Sequence, residues 1–199
     1  MLRLVFATSN AHKLQEVSAI LPSQITIVPL EETAWSGEIE ETASTLEGNA
    51  LLKAHTIANA LEADCFAEDT GLEVDALNGE PGVYSARYAG PGRDARENMH
   101  RLLQELEGVH DRGAQFRTVI ALVLDGATYT FQGIVRGKIA HHPEGTGGFG
   151  YDPVFVPDGY STSFGVLPSG IKNQISHRAL AVQRLAQFLS DYIKCKNPG

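Results

Sequence analysis

The stretch Ala67–Leu77 reads AEDTGLEVDAL and directly follows the apolar pair Cys65-Phe66. Its reading decides the fold, because it sets acidic side chains against a chain with the pattern of a buried strand. Asp64 to Asp69, DCFAED, is the short apolar run that a central strand of an α/β sheet carries, whereas Gly71 to Leu77, GLEVDAL, alternates like an exposed strand. Four carboxylates lie here: Glu68, Asp69, Glu73 and Asp75. Glu73 and Asp75 alternate with apolar neighbours and are expected on an outward face. Asp69 falls where the buried strand is expected to end, which suits a metal ligand or a base better than a solvated surface acid.

Upstream, Leu2 to Ala7 is an apolar run ending in Thr8-Ser9-Asn10, and AHKLQEVSAILP then places Leu14, Val17, Ile20 and Leu21 at helical spacing. This predicts a strand, a polar turn and a helix that Asn10 caps and Pro22 stops. QITIVPL predicts a second strand, and the acidic, irregular segment 31–41 separates it from a long helix, TLEGNALLKAHTIANALEA. Thr45 can cap that helix, and Asn49 and Lys53, four apart, share one of its faces. Downstream, residues 78–92 form a turn-rich loop, DARENMHRLLQELEG an amphipathic helix closed by Gly108, and 114–140 two or three antiparallel strands turning at Asp125-Gly126. A Gly-rich loop with a short strand and a last helix from SHRALAVQRLAQFLSDYI follow, with 194–199 expected to fray. Mixed strands and helices without strict alternation predict an α/β fold. It is read as one domain over 1–199, with two lobes and a cleft between them where the polar loops meet.

Composition narrows the function. The chain has 199 residues, 43% hydrophobic and 20% charged, enough to bury a sizeable core. Its net charge of −8 argues against a broad nucleic-acid surface, yet cationic side chains plus Mg²⁺ can still invert the field in one cleft. The two cysteines, Cys65 and Cys195, make neither a disulfide framework nor a zinc pattern. No run approaches the roughly 20 apolar residues of a membrane span. The N-terminus lacks the features of a secretion signal, so a cytoplasmic protein is expected.

Four constellations carry chemistry. Thr8-Ser9-Asn10-Ala11-His12-Lys13 joins a strand end to a helix start, where backbone N–H groups can cradle phosphate oxygens and Lys13 can neutralise them; capping by Asn10 is the structural alternative. No G-x-x-x-x-G-K-[ST] sequence occurs, so this is not a P-loop. Glu40/Glu41 and Glu68/Asp69 are acids of the kind that hold Mg²⁺, which takes one or two carboxylates alongside substrate phosphates. TGGFGYDP, Thr146 to Pro153, lets backbone approach a flat ligand on which Phe149 or Tyr151 can stack, with Asp152 capping the turn or accepting from the ligand. Lys172, His177 and Arg178 can hold phosphate or a base carbonyl, unless Ser176 merely caps the last helix and its neighbours lie at the surface.

Taken together, ATSNAHKLQE, EET followed by GNALLKA, AEDTGLEVDALNGEPGVYSARYAG, GTGGFGYDPVF and SHRALA resemble, in order and over nearly the whole chain, the inosine triphosphate pyrophosphatase family. The resemblance implies hydrolysis of ITP, dITP and XTP to the monophosphate and pyrophosphate with Mg²⁺, by an elongated mixed central β-sheet flanked by helices, in a homodimer. It implies that Thr8, Ser9, Asn10, Ala11, His12 and Lys13 bind the triphosphate with help from Lys53, and that Thr70 touches substrate. Asp69 would be general base and metal ligand, Glu41 the second ligand with Glu40 as its alternative, and Glu68 a support for the metal's water. Phe149, Gly150, Tyr151, Asp152, Lys172, His177 and Arg178 would build the base pocket. One stretch departs from the family pattern of Ala-Glu-Leu and an acidic pair before the lysine. Here SFGVLPSGIK, Ser163 to Lys172, has Gly165-Val166 and Gly170-Ile171 in those places. A pocket presenting donors accepts the carbonyl of hypoxanthine or xanthine, whereas adenine's amine leaves them unmet, at about 1–3 kcal/mol each.

Overall fold

A computed structural model describes residues 2–196. Six strands form one sheet in the order β2-β1-β3-β4-β5-β6. They are β1 (Leu2–Phe6), β2 (Ile25–Pro29), β3 (Cys65–Val74), β4 (Gly113–Leu124), β5 (Ala127–Ile139) and β6 (Phe155–Pro157). The helices are α1 (Ala11–Ser18), α2 (Leu46–Leu61), α3 (Ala95–Glu105), α4 (Ser169–Ile175) and α5 (His177–Lys196). β1 runs parallel to both β2 and β3, and β5 antiparallel to β6, so the sheet is mixed as expected. Parallel neighbours need a crossover, which α1 supplies between β1 and β2; α2 then carries the chain from β2 past β1 to β3.

The chain divides into two compact units. The first comprises residues up to Asp69, Thr118–Gly133 and the chain from Arg178 onward. Its core gathers Leu4 and Phe6 of β1, Val17 of α1, Phe66 of β3, Ile120 and Leu122 of β4, and Val182, Leu185 and Leu189 of α5. Phe6 and Phe66 face each other across the β1–β3 pair with ring centroids 4.4 Å apart and planes 7° apart. Each such ring, wholly removed from water, contributes about 1.5–3 kcal/mol. The second unit, Thr70–Arg117 with Ile134–His177, has its own core of Leu72, Val74, Leu102, Leu106, Phe116, Val154, Phe155 and Phe164.

Several elements differ from their sequence reading. β3 does not stop at Asp69 but continues through Thr70-Gly71 to Val74, with Leu72 and Val74 fully buried. The alternation read in GLEVDAL is present: Leu72 and Val74 are buried, while Glu73 is half-buried and Asp75, just past the strand, is exposed. What does end near Asp69 is β3's pairing with β1, whose register closes at Phe6↔Phe66. Residues 113–139 make two strands, joined by a two-residue turn with φ of +49° at Asp125 and +75° at Gly126. The segment read as an atypical loop contains α4, which carries Lys172. α5 continues through Lys196; the other three positions of the expected frayed tail lie outside the described residues. No helix of the described residues is long and apolar enough to cross a membrane.

Candidate active site

Successive strand residues point to opposite faces, so Glu68 and Asp69, adjacent on β3, face different layers of the first unit. They sit just beyond the end of the β1–β3 pairing. β1 lies between β2 and β3, and the carboxyl ends of strands at such a branch of an open α/β sheet form a ligand crevice.

Asp69 faces α2. Thr45 starts that helix, its side chain accepting from the Gly48 N–H at 3.0 Å. One turn further in, Asn49 donates Nδ2–H to Asp69 Oδ2 at 3.3 Å. A turn beyond that, Lys53 donates to Asp69 Oδ1 at 2.8 Å and to Glu41 Oε1 at 2.6 Å. Lys53 is 6% exposed and Asp69 7%. One ammonium thus holds two carboxylates, as the shared helix face predicted for Asn49 and Lys53. Burial pushes the Asp69 carboxyl above its ordinary value; Lys53 and Lys13 oppose that shift and Glu41 adds to it. Burial opposes the charge on Lys53, but Asp69 and Glu41 outweigh it and raise the ammonium's pKa. Of the two glutamates left open by sequence, Glu41 is the one at Lys53, while Glu40 is exposed.

Glu68 faces α1 and α5. Its oxygens accept from Arg178 Nε at 3.1 and 2.9 Å and from Nη2 at 3.0 Å, and Lys13 Nζ lies 3.1 Å away. Arg178 Nη1 also donates to Glu16. Glu68 and Arg178 are 2% and 1% exposed. Burial alone would raise the Glu68 pKa; Arg178 and Lys13 overcome it and hold the carboxyl far below its usual range. Oε1 takes Arg178 Nε and Nη2 and Lys13, whereas Oε2 takes Arg178 Nε, so the carboxylate is anchored chiefly through one oxygen. Arg178, read from sequence as part of a base pocket, pairs here with two carboxylates of the first unit. Sequence reasoning passed over Glu16, although its position three residues after Lys13 puts both on one face of α1.

The turn before α1 folds on itself. Asn10 Oδ1 accepts from the N–H groups of His12 at 3.0 Å and Lys13 at 3.2 Å, and Thr8 Oγ1 accepts from Asn10 N–H at 3.2 Å. The cap therefore takes N–H groups that the sequence offered to phosphate. Ser9, Ala11 and His12 are exposed.

The second unit holds the remaining candidates. Asp152 Oδ2 accepts from Phe149 N–H at 2.7 Å and from Lys172 Nζ at 2.6 Å, both Asp152 and Lys172 being buried. The Lys172 ammonium lies 5.1 Å from the centre of the Phe149 ring. Asp152 thus caps the Gly-rich turn. Gly148 must be glycine there: its φ is +69°, and a Cβ would lie 2.1 Å from Asp152 Oδ2. Gly150 has φ of +62° in the same turn. The Tyr151 ring belongs to the core of the second unit and its hydroxyl donates to Ser85 O at 2.8 Å. His177 is buried with its ring 4.4 Å from that of Phe116. Thr70 is half-buried. Gly165, in the departing stretch, lies where a Cβ would come 2.5 Å from Glu144 O.

Among the described residues, no group of three or more His, Cys, Asp or Glu side chains could hold a metal. The donor set that is present, two carboxylates on one lysine, fits Mg²⁺, which needs only one or two protein acids when phosphates and water complete its shell.

The Ham1 family model matches residues 4–188. A dITP/XTP pyrophosphatase of Flavobacterium johnsoniae is 52% identical over 95% of this chain and 98% of its own. One of Porphyromonas gingivalis is also 52% identical, over 95% and 98%. The solved structure of the Staphylococcus aureus Ham1 protein superposes with a TM-score of 0.88 at 41% identity, covering 96% of this chain and 99% of that one. The chain belongs to the Ham1 family.

Proposed function

We propose that this chain hydrolyses the non-standard purine nucleoside triphosphates dITP, XTP and ITP to the monophosphate and pyrophosphate. The observation that carries the reading is the buried Lys53 bridge between Glu41 and Asp69, set at the carboxyl end of the β1–β3 pair. The names of the 52%-identical relatives supply the substrate class. Asp69 is the general base. It takes a proton from water as the oxygen attacks the α phosphorus, the bond from that phosphorus to the bridging oxygen breaks, and pyrophosphate leaves. A carboxyl whose pKa burial has raised holds that proton better than an exposed one, which is what a base requires. Lys13 and Lys53 bring positive charge to the triphosphate, with Thr8 to His12 along it. Glu41 and Asp69 would hold Mg²⁺, which supplies charge neutralisation on the phosphates and acidifies water. Phe149, with Lys172 behind it on Asp152, is assigned to the purine, and His177 to its oxo group; Thr70 touches the substrate. A cytoplasmic homodimer, acting on a small molecule and on no nucleic acid, completes the reading.

The test is incubation with ITP, dITP, XTP, GTP and ATP plus Mg²⁺ while pyrophosphate release is followed. Monophosphate and pyrophosphate from the 6-oxo substrates, with ATP spared, is the expected result. Release of phosphate with IDP from ITP, or no product, overturns it. Light scattering after size exclusion tests the dimer.

A further inference from the structure

Asn49 is fully buried in the first turns of α2. Helix propensity does not explain it, since Asn is a poorer helix residue than Ala or Leu. Nor does burial, because a side-chain amide removed from water is costly unless both its ends are bonded. Both are, and to different elements. Oδ1 accepts from the Ala43 N–H at 2.9 Å. A backbone N–H can only donate, which fixes the amide's orientation and turns Nδ2 to Asp69 Oδ2 at 3.3 Å. The two Asp69 oxygens are thereby distinguished, one taken by Asn49 and the other by Lys53. Residues 38–43 belong to no helix or strand, so the tie at Ala43 and the Lys53 bridge anchor the segment that carries Glu41.

We infer that Asn49 is a positioning residue, which sets Glu41 against Asp69 by tying segment 41–43 and the β3 carboxylate to one rigid helical turn. The inference rests on the roles proposed above for Asp69 and Glu41. Neither near-isostere reproduces the pair of bonds: Leu makes neither, and Asp keeps the acceptor for Ala43 but has no donor for Asp69.

Asn49→Leu, Asn49→Asp and Asp69→Asn are compared with the unaltered chain. Three readouts are taken: kcat and KM for dITP, Mn²⁺ binding by paramagnetic resonance in resting protein without nucleotide, and limited proteolysis of segment 31–45. Loss of a partner that orients a ligand side chain lowers activity or metal affinity about 10–100-fold. Both Asn49 variants are expected to lose kcat on that scale with KM for dITP nearly unchanged. Asn49→Leu is also expected to bind Mn²⁺ about 10-fold more weakly and to be cut in 31–45. Asn49→Asp stays protected there, because the tie to Ala43 survives. Wild-type kcat and Mn²⁺ affinity in Asn49→Leu, with Asp69→Asn inactive, overturn this inference and leave the proposed function standing. A fall in melting temperature alone, with kcat kept, overturns it equally. Full activity in Asp69→Asn instead overturns the role of Asp69 on which the inference is built. Where Asn49→Leu does not fold, Asn49→Asp decides: kcat at the wild-type level overturns the inference.

Discussion

Replacing Arg178 by Leu should destabilise the protein more than any exposed charge change, and by an amount the structure bounds. The guanidinium is 1% exposed and makes three hydrogen bonds to the 2%-exposed Glu68 carboxylate, besides its bond to Glu16. Arg178→Leu strands a buried carboxylate with Lys13 as its nearby cation, and breaking one side of a buried pair costs about 3–5 kcal/mol. For a chain of this size each kcal/mol lowers the melting temperature by about 2–4 °C, so the drop should be about 6–20 °C. The double variant Glu68→Leu/Arg178→Leu should regain part of that loss, because it removes the stranded charge as well. The pH dependence follows in sign. The folded-state pKa of Glu68 is depressed, so the pair's contribution is complete above the unfolded value of about 4.3 and disappears as pH falls through the folded one. Urea melts of the unaltered protein and of Arg178→Leu should differ most at neutral pH, and the difference should shrink as pH falls, because in the variant burial makes Glu68 take up a proton more readily and in the unaltered protein the pair is lost in stronger acid. A melting temperature within about 2 °C of wild type at pH 7, or a difference that persists unchanged into strong acid, would refute the assignment of Arg178 to Glu68.

Asp69→Asn should lower pyrophosphate release by about 10²–10⁴-fold while a thermal melt shifts little, since Lys53 keeps Glu41 as a partner. Tyr151→Phe removes the donor to Ser85 O and should cost about 1 kcal/mol in a denaturant titration with KM for dITP unchanged; an order-of-magnitude rise in KM would return the ring to the base. Thr45→Ala removes the cap that holds the Gly48 N–H and should cost about 0.5–2 kcal/mol by the same titration, with kcat preserved because α2 is held elsewhere by its buried face. Excess chelator should abolish pyrophosphate release and added Mg²⁺ should restore it; turnover that survives chelation would remove the cation from the proposed mechanism.

Local signals were legible in sequence where one residue type answers one backbone need. Asn10 and Thr45 cap the helices they were expected to cap, and Asp125-Gly126 makes the expected tight turn. The shared face of Asn49 and Lys53 needed only the helical period, and it led to Asp69. What failed were inferences that depend on neighbours in space. Thr70-Gly71 looked like an ending because its residues favour turns, yet β3 passes through them. The bond from the Tyr151 hydroxyl to Ser85 O, between residues 66 apart in the chain, could not be read from the Gly-rich loop alone. α4 was missed since Gly170 and Ser169 obscure the helical pattern of a seven-residue segment.

The two adjacent acids show the same limit in its sharpest form. Glu68 and Asp69 are nearly the same chemistry one peptide apart, and nothing in their types separates a metal support from a base. The pleat separates them, by turning one toward α1 and α5 and the other toward α2. On the first side Arg178 and Lys13 pair with Glu68, and Glu16 pairs with the same arginine, so the cluster joins α1 and α5 to the sheet. On the second, Asp69 shares its one lysine with Glu41, and burial outweighs the cations in setting its pKa. The strand's period of two gives Glu68 the arginine and leaves Asp69 a divided ammonium, so Asp69 is held in place but incompletely neutralised, which is what its proposed role as base requires.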